Sequence, residues 1–170
     1  VYTLTLVDLD PAMTRLARQF TNFLSINQVS LNDPRVRVDI KYAYQFTKNS
    51  GDLYDAAIIN FPDPKSVSLS LLYSLGFYKM VEKHLKPFGS MVTQSTSPLY
   101  SPEAFLCIKK TMEAAGFSTV PYQNSVPSMG QWGWVIGVRH EAMPAQRLKQ
   151  ELLTLEFADI ETHFFNRDAM

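Results

Sequence analysis

The sequence predicts an α/β fold built on a mostly parallel sheet, and three observations support that prediction. Short apolar segments typical of strands alternate along the chain with amphipathic segments typical of helices. Proline, glycine and asparagine stand at the junctions between these segments. The chain has 170 residues, of which 46% are hydrophobic and 19% charged, as in ordinary globular domains. Alternating strands and helices form right-handed βαβ units, which place helices on both faces of the sheet.

The first part of the chain predicts two strands around one helix. Residues 2–7 are β-branched and apolar, which favours a buried strand. Asp10 precedes Pro11 and suits the N-cap of a helix whose first position is proline. Apolar residues at helical spacing predict that this helix runs from Met13 to Leu24. A short alternating strand is then expected over Val36 to Ile40.

The middle of the chain predicts a strand, a long helix and a second strand. Residues 55–60 contain a continuous apolar run, which is typical of a strand buried on both faces. Residues 69–85 predict one long helix that ends before Pro87 and Gly89. The next strand is expected over Met91 to Gln94.

The last part of the chain predicts a helix, two strands and a helical tail. Ser101 and Pro102 begin the helix, and Gly116 is placed to end it. Strands are expected over residues 118–122 and 134–138, and the last strand is expected to be antiparallel. These elements predict one domain over residues 1–143, followed by a helical C-terminal tail over residues 144–170.

Composition argues against several classes of protein. Sixteen basic residues balance sixteen acidic ones without a basic stripe, so a nucleic-acid partner is not expected. No apolar run reaches the length of a membrane span, so this segment is not expected in a membrane. Cys107 is the single cysteine, and the three histidines have no ligand spacing, so a metal site is not expected either.

Polar residues at the carboxyl ends of the predicted strands are the candidates for binding, because ligands of open α/β sheets bind there. Asp8 can accept the hydroxyls of a ribose or serve only as a turn residue. Asp63 stands in a rigid loop between two prolines, where it either faces a ligand or is solvated. Gln94 can contact a ligand or pair with a neighbouring loop, and Trp132 can form an aromatic wall or belong to a core or interface.

Seven short segments, taken in order, resemble one family. They are Thr5-Leu6-Val7-Asp8-Leu9-Asp10-Pro11, Leu31-Asn32-Asp33-Pro34-Arg35-Val36, Phe61-Pro62-Asp63-Pro64, Leu72-Tyr73-Ser74, Phe77-Tyr78, Gln94-Ser95-Thr96-Ser97-Pro98, and Val126-Pro127-Ser128 with Trp132-Gly133. Together they are similar to the polyamine aminopropyltransferases, in particular the bacterial spermidine synthase-like proteins whose soluble domain follows membrane helices. The resemblance implies a Rossmann-like fold of the S-adenosylmethionine-dependent transferases and a role in polyamine biosynthesis.

The resemblance also implies a reaction and the residues that serve it. Such enzymes transfer an aminopropyl group from decarboxylated S-adenosylmethionine, a co-substrate rather than a tightly bound cofactor, to putrescine. Asp8 matches the acid that binds the ribose, and Asp10 and Tyr42 stand with it on the nucleoside side. The family implies that Asp63, Gln94, Tyr73 and Trp132 line the polyamine side.

Three departures from the family pattern bear on activity. Asn60 stands where the family carries the aspartate that deprotonates the attacking amine, and an amide cannot act as a general base. Tyr42 stands where the family carries an acid that binds adenine. The glycine-rich loop and the strand before it are expected upstream of Val1. That strand would lie between the first strand and the strand at Ala56, and either upstream residues or a second copy in a homodimer would supply it.

Three functions remain open from the sequence. The first is an aminopropyltransferase domain, and the second is a binding or regulatory domain of the same family that has lost catalysis. The third is an S-adenosylmethionine-dependent methyltransferase, which would keep Asp8 without needing Asp63 and Gln94. The expected ligand is a polyamine or a nucleoside. The expected location is the cytoplasm, as a separate protein or as the soluble domain of a membrane-anchored one.

Overall fold

The computed structural model of the chain describes residues 1–126, 128 and 130–156. The chain divides into an N-terminal unit, Val1–Gly51, and a C-terminal unit that begins at Asp52. Strands alternate with helices in both units, which confirms the predicted α/β fold.

The N-terminal unit is built on two parallel strands. Strand β1 (Leu4–Asp8) pairs with β2 (Val36–Ile40) along its whole length, so that Asp8 stands opposite Ile40 where both strands end. The other elements of this unit are α1 (Pro11–Gln19), α2 (Thr21–Asn27), a 3₁₀ turn (Ser30–Asn32) and α3 (Ala43–Asn49).

The start of α1 confirms the prediction, whereas its end corrects it. The Asp10 carboxylate accepts a hydrogen bond of 2.8 Å from the Ala12 N–H, and Pro11 is the first helical residue. The predicted single helix to Leu24 is wrong, because Phe20 is extended and separates α1 from α2. The Asn27 side-chain amide donates to the Ala17 carbonyl over 2.8 Å, which satisfies an acceptor that a continuing helix would have used.

The C-terminal unit is built on a mixed four-stranded sheet. The strands follow the spatial order β3-β4-β6-β5, with β3 and β4 parallel and β6 antiparallel to both of its neighbours. Their bounds are β3 (Tyr54–Ile59), β4 (Leu85–Gln94), β5 (Phe117–Val126) and β6 (Gly130–Arg139). The predicted antiparallel last strand is therefore confirmed.

One long helix predicted for the C-terminal unit is divided into shorter elements in the structure. The helical elements of this unit are α4 (Val67–Ser70), a 3₁₀ turn (Leu71–Tyr73), α5 (Leu75–Lys83), α6 (Pro102–Ala114) and α7 (Ala145–Leu153). The single helix predicted over residues 69–85 is wrong because Ser74 interrupts it. Its hydroxyl accepts from the Phe77 N–H and donates to the Leu71 carbonyl, so it caps α5 and closes the turn before it. Gly116 follows α6 with a φ of 101°, as the sequence predicts for a helix end.

The core of the C-terminal unit lies between its sheet and its helices. Its most deeply buried large apolar side chains are Phe77, Tyr78, Leu85, Met91, Met112 and Val135. Strand β3 corrects the expectation of burial on both faces: Ile59 is 7% exposed, whereas Ile58 is 80% exposed. Side chains alternate across a strand, and only the Ile59 face of β3 is covered within the described residues.

The predicted division at residues 143 and 144 stays a prediction. Helix α7 begins at Ala145, the second residue of the predicted tail, and buries Leu148. The rest of that tail, residues 157–170, lies outside the described residues. Among the helices that are described, none has the length and apolar character to cross a bilayer.

Candidate functional site

The loop that follows β3 is held by one aromatic side chain. The Phe61 ring packs edge-on against Tyr73, with ring centroids 6.3 Å apart, and lies 5.8 Å from the ring of Phe77. Phe77 is buried in the core, so these contacts fix the loop to the body of the unit. Proline on each side of Asp63 restricts the backbone further. The loop can therefore hold Asp63 in one position at the carboxyl end of β3.

Asp63, Tyr73 and Gln94 form a continuous chain of side chains, here named the Gln94 network. The Gln94 side-chain amide donates to Asp63 Oδ1 over 3.2 Å. The Tyr73 hydroxyl lies 2.9 Å from Gln94 Oε1 and 3.1 and 3.2 Å from the carbonyl oxygens of Phe61 and Pro62. Gln94 is 1% exposed and ends β4, whereas Asp63 is half-buried. The structure thus brings three predicted polyamine-side residues together where parallel strands β3 and β4 end.

The chemistry of the partners fixes the orientation of the Gln94 amide. A carboxylate can only accept, so the nitrogen of the amide must face Asp63 and its oxygen must face Tyr73. Burial raises the pKa of Tyr73, and the nearby negative charge of Asp63 raises it further. Tyr73 therefore stays protonated and donates at neutral pH. The second oxygen of Asp63 has no hydrogen-bond partner among the described residues, and a cationic group is the natural partner for it.

Asn60 directly follows β3 and precedes the anchored Phe61. Its side chain is exposed and makes no hydrogen bond to the described residues. An amide in this place can donate or accept a hydrogen bond but cannot take up a proton at neutral pH. The position is accessible to a ligand, but its chemistry is limited to hydrogen bonding.

The three nucleoside-side candidates lie in the N-terminal unit. Asp8 is half-buried at the end of β1, and one of its oxygens accepts from the Asp10 N–H over 2.8 Å. Asp10 uses its own carboxylate to cap α1, and half-buried Tyr42 is the N-cap residue of α3. Asp8 thus acts as a turn residue and still has one oxygen without a partner within the described residues.

Trp132 is half-buried on β6 opposite Asn124 and takes no part in the Gln94 network as described. The nearby Trp134 stacks on Tyr122, with ring centroids 6.5 Å apart, and donates its indole N–H to Asn124 over 2.9 Å. Trp132 and Trp134 therefore belong to the β5–β6 hairpin. The role predicted for Trp132 stays a prediction.

Sequence reasoning did not single out Phe61 as part of the site. An aromatic residue between Asn60 and a Pro-Asp-Pro segment was the available signal, because a loop rarely carries one without packing it. In the described part of the chain, no group of three histidine, cysteine or acidic side chains is arranged to hold a metal ion.

The chain is similar to several curated proteins. It is 44% identical over 155 residues to polyamine aminopropyltransferase 1 of Streptomyces coelicolor, covering 91% of this chain and 29% of that protein. It is 41% identical over 132 residues to polyamine aminopropyltransferase 2 of Ralstonia nicotianae, covering 78% and 26%. The chain thus spans less than a third of the length of these relatives.

Solved structures and a family model agree with this similarity. The fold matches a spermidine synthase crystallised in complex with the transition state analogue AdoDATO, with a TM-score of 0.75, over 99% of this chain and 56% of that one. Sequence identity is only 19%, so this match concerns the fold alone. The model of the spermine/spermidine synthase domain matches residues 1–150. The chain belongs to the spermine/spermidine synthase family.

Proposed function

We propose that this chain is an aminopropyltransferase domain that binds a diamine at the Gln94 network and transfers aminopropyl groups slowly because Asn60 replaces the general base. The observation that carries the proposal is the Asp63 carboxylate, with one oxygen fixed by Gln94 and the other free of described partners. A primary ammonium carries three N–H donors and suits such an acceptor. Tyr73 stays neutral, so the network has one net negative charge for a cationic ligand.

The reaction implied by the family needs a proton acceptor. The amine of putrescine attacks the aminopropyl carbon of decarboxylated S-adenosylmethionine; a C–N bond forms, the C–S bond breaks and methylthioadenosine leaves. The attacking nitrogen must lose a proton, and general bases typically accelerate such steps about 10²–10⁴-fold. Because Asn60 cannot accept this proton, the reaction lacks a general base at that position. Substrate positioning remains available for catalysis, which supports a slow reaction.

A binding domain without catalysis is the second candidate. Asn60 and Tyr42 both support it, because both replace acids that the family uses and neither restores the lost charge. The Asp63–Gln94 contact favours either function over methyl transfer, since methyl transfer does not require an amine-binding carboxylate on this side.

The test compares the complete protein with its Asn60→Asp variant. Spermidine formation from putrescine and decarboxylated S-adenosylmethionine is measured at several pH values, because a carboxyl group acts as a general base only when it is ionised. We expect slow turnover by the wild type and an increase of at least about tenfold in the variant. Asn49→Asp, which adds the same charge at the end of α3, is the matched control and should change nothing.

The possible results separate the candidates. Equal and substantial rates in both proteins would show that Asn60 does not occupy the base position, or that another group accepts the proton. Two inactive proteins that still bind putrescine in calorimetry would establish the binding function. Two proteins that neither react nor bind putrescine would refute the amine site itself.

A further inference from the structure

Thr96 has a backbone conformation that its side chain disfavours. Its φ is 62°, in the left-handed region that glycine and asparagine tolerate but β-branched residues rarely adopt. The residue is 4% exposed, so it is buried in this conformation. Its hydroxyl has no hydrogen-bond partner within the described residues, so no local bond compensates for the strain. Backbone outliers of this kind are found most often next to functional sites.

A β-bulge between β4 and β6 imposes this conformation. The Ser95 N–H donates to the Gly133 carbonyl over 2.8 Å, and the Gly133 N–H donates to the Thr96 carbonyl over 2.7 Å. Two residues therefore stand opposite one, directly after the regular pair of Gln94 and Trp134. The inserted residue bends the strand at the point where Gln94 ends it.

Gly133 is the residue that makes this bulge sterically possible. A Cβ atom at position 133 would lie 2.6 and 2.8 Å from two ring atoms of Phe105 and 2.8 Å from the Thr96 carbonyl oxygen. Phe105 belongs to α6 and is buried, so its ring has little room to move. The bulge is thus held by a close approach that only glycine permits.

Gln94 directly precedes this bulge at the end of β4. Its side chain makes one bond of 2.9 Å and one of 3.2 Å, and the longer one is at the outer limit of a good N–H···O bond. A displacement of about half an ångström at the end of β4 would break the contact with Asp63. Bulges next to active sites commonly serve to aim a side chain in this way.

We propose that Thr96 and Gly133 are positioning residues for amine binding, because their bulge aims the Gln94 amide at Asp63. One consequence, weaker diamine binding when the bulge is lost, rests on the proposed function. The positioning itself can be measured without any ligand. We expect the side-chain amide protons of Gln94 to exchange slowly with solvent, as measured by NMR. Their signal is identified because it is missing from the spectrum of Gln94→Leu.

The first pair of variants of the complete protein gives position 96 opposite backbone preferences, and both variants remove the buried Thr96 side chain. Thr96→Pro fixes φ near −65° and forbids the left-handed conformation. Thr96→Gly allows it without strain. We expect Thr96→Pro to lose slow exchange at Gln94 and to weaken the putrescine Kd about tenfold, which is the loss of one hydrogen bond. Thr96→Gly should keep both properties, with an unchanged or higher Tm.

The second pair tests the close approach at β6. Gly133→Ala should displace the bulge and have the same two effects as Thr96→Pro. Gly137→Ala on the same strand is the matched control, because its Cβ would lie 3.0 Å from the flexible end of Met112 and 3.3 Å from Phe117. It should lower Tm while leaving the Gln94 amide and the putrescine Kd unchanged.

Each result supports or overturns the inference. It is overturned if a folded Thr96→Pro or Gly133→Ala variant keeps the slow Gln94 exchange, or if Gly137→Ala loses it equally. If both disruptive variants fail to fold, Thr96→Gly provides the test. Faster Gln94 exchange or a lower Tm in that variant would contradict the assignment of backbone strain to Thr96. If the wild type shows the protected amide but binds no putrescine, the proposed function fails while the positioning is still measured.

Discussion

The N-terminal unit and the C-terminal unit contain the same kinds of elements but bury them to different extents. In residues 1–51, Thr14 is the single buried residue, and large apolar side chains such as Phe20 and Ile26 are 56% and 78% exposed. The C-terminal unit encloses a core that includes Phe77 and Tyr78. The Gln94 network rests on that core through Phe61 and Phe77. In this chain, the Gln94 network thus lies in the unit whose packed core can fix the position of its side chains.

The largest expected effect tests this difference in packing. Phe77→Ala should cost about 3–5 kcal/mol of stability in the C-terminal unit, because it removes a buried ring and leaves a cavity. The matched change Phe23→Ala removes a ring that is 43% exposed and should cost less than about 1 kcal/mol. Native-state hydrogen exchange of the amides in β4 and β1 measures the two losses. Similar losses in both units would contradict the comparison.

A smaller effect, on ligand binding, is expected when the candidate binding carboxylate of each unit is replaced by an amide. Asp63→Asn removes the charge of the Gln94 network and should weaken the putrescine Kd by about 1.5–3 kcal/mol, or roughly ten- to a hundredfold. Asp8→Asn is the control in the other unit and should leave that Kd unchanged while weakening any methylthioadenosine binding. Calorimetry on the complete protein measures both. Loss of putrescine binding in the Asp8 variant would show that the two ligand roles are assigned to the wrong acids.

The hydroxyl of Tyr73 should contribute less to putrescine binding than the charge of Asp63. Tyr73→Phe keeps the ring packed on Phe61 but leaves Gln94 Oε1 without its donor, which should weaken the putrescine Kd by about 0.5–1.5 kcal/mol, or roughly two- to tenfold. Tyr122→Phe, which changes a tyrosine of the β5–β6 hairpin in the same unit, is the matched control. An equal effect from both changes would assign the loss to general destabilisation.

The smallest effect concerns an exposed ion pair of the N-terminal unit. The side-chain hydrogen bond from Arg35 lowers the pKa of Asp33 from 3.8 to about 2. A lowered pKa stabilises the folded state above the unfolded value, near 4, and this contribution is lost as the pH falls towards 2. Asp33→Asn should therefore lower Tm slightly at pH 5 and by a smaller amount at pH 2, since exposed pairs contribute little. A Tm difference of the same size at both pH values would contradict this assignment.

Local sequence signals predicted element boundaries well where one residue determines them. Asp10 with Pro11 marks the start of α1, and Gly116 marks the end of α6 because a left-handed residue is needed there. Apolar periodicity alone gave two helices that are too long. It does not report that Phe20 is extended or that Ser74 bonds on both sides of a break, and both depend on local hydrogen bonds.

The candidate site was predictable as a region but not as a set of contacts. Strand ends and the family resemblance indicated Asp63, Tyr73 and Gln94, and the structure brings them together. The contact between Asp63 and Gln94 joins residues 31 positions apart, so its geometry is set by packing rather than by local sequence. The bulge at Thr96 breaks the local preference of its own residue, and no propensity argument could have located it.

The Tyr73 hydroxyl has one proton but lies within bonding distance of three acceptors: the Gln94 side-chain oxygen and the carbonyls of Phe61 and Pro62. Rotation about its C–O bond is enough to exchange one acceptor for another. When the Gln94 side chain fluctuates, the phenol can donate to the loop instead and no buried donor is left unpaired. This redundancy allows Gln94 to move without leaving the Tyr73 hydroxyl unpaired. The same hydroxyl can then donate to the loop that carries Asp63.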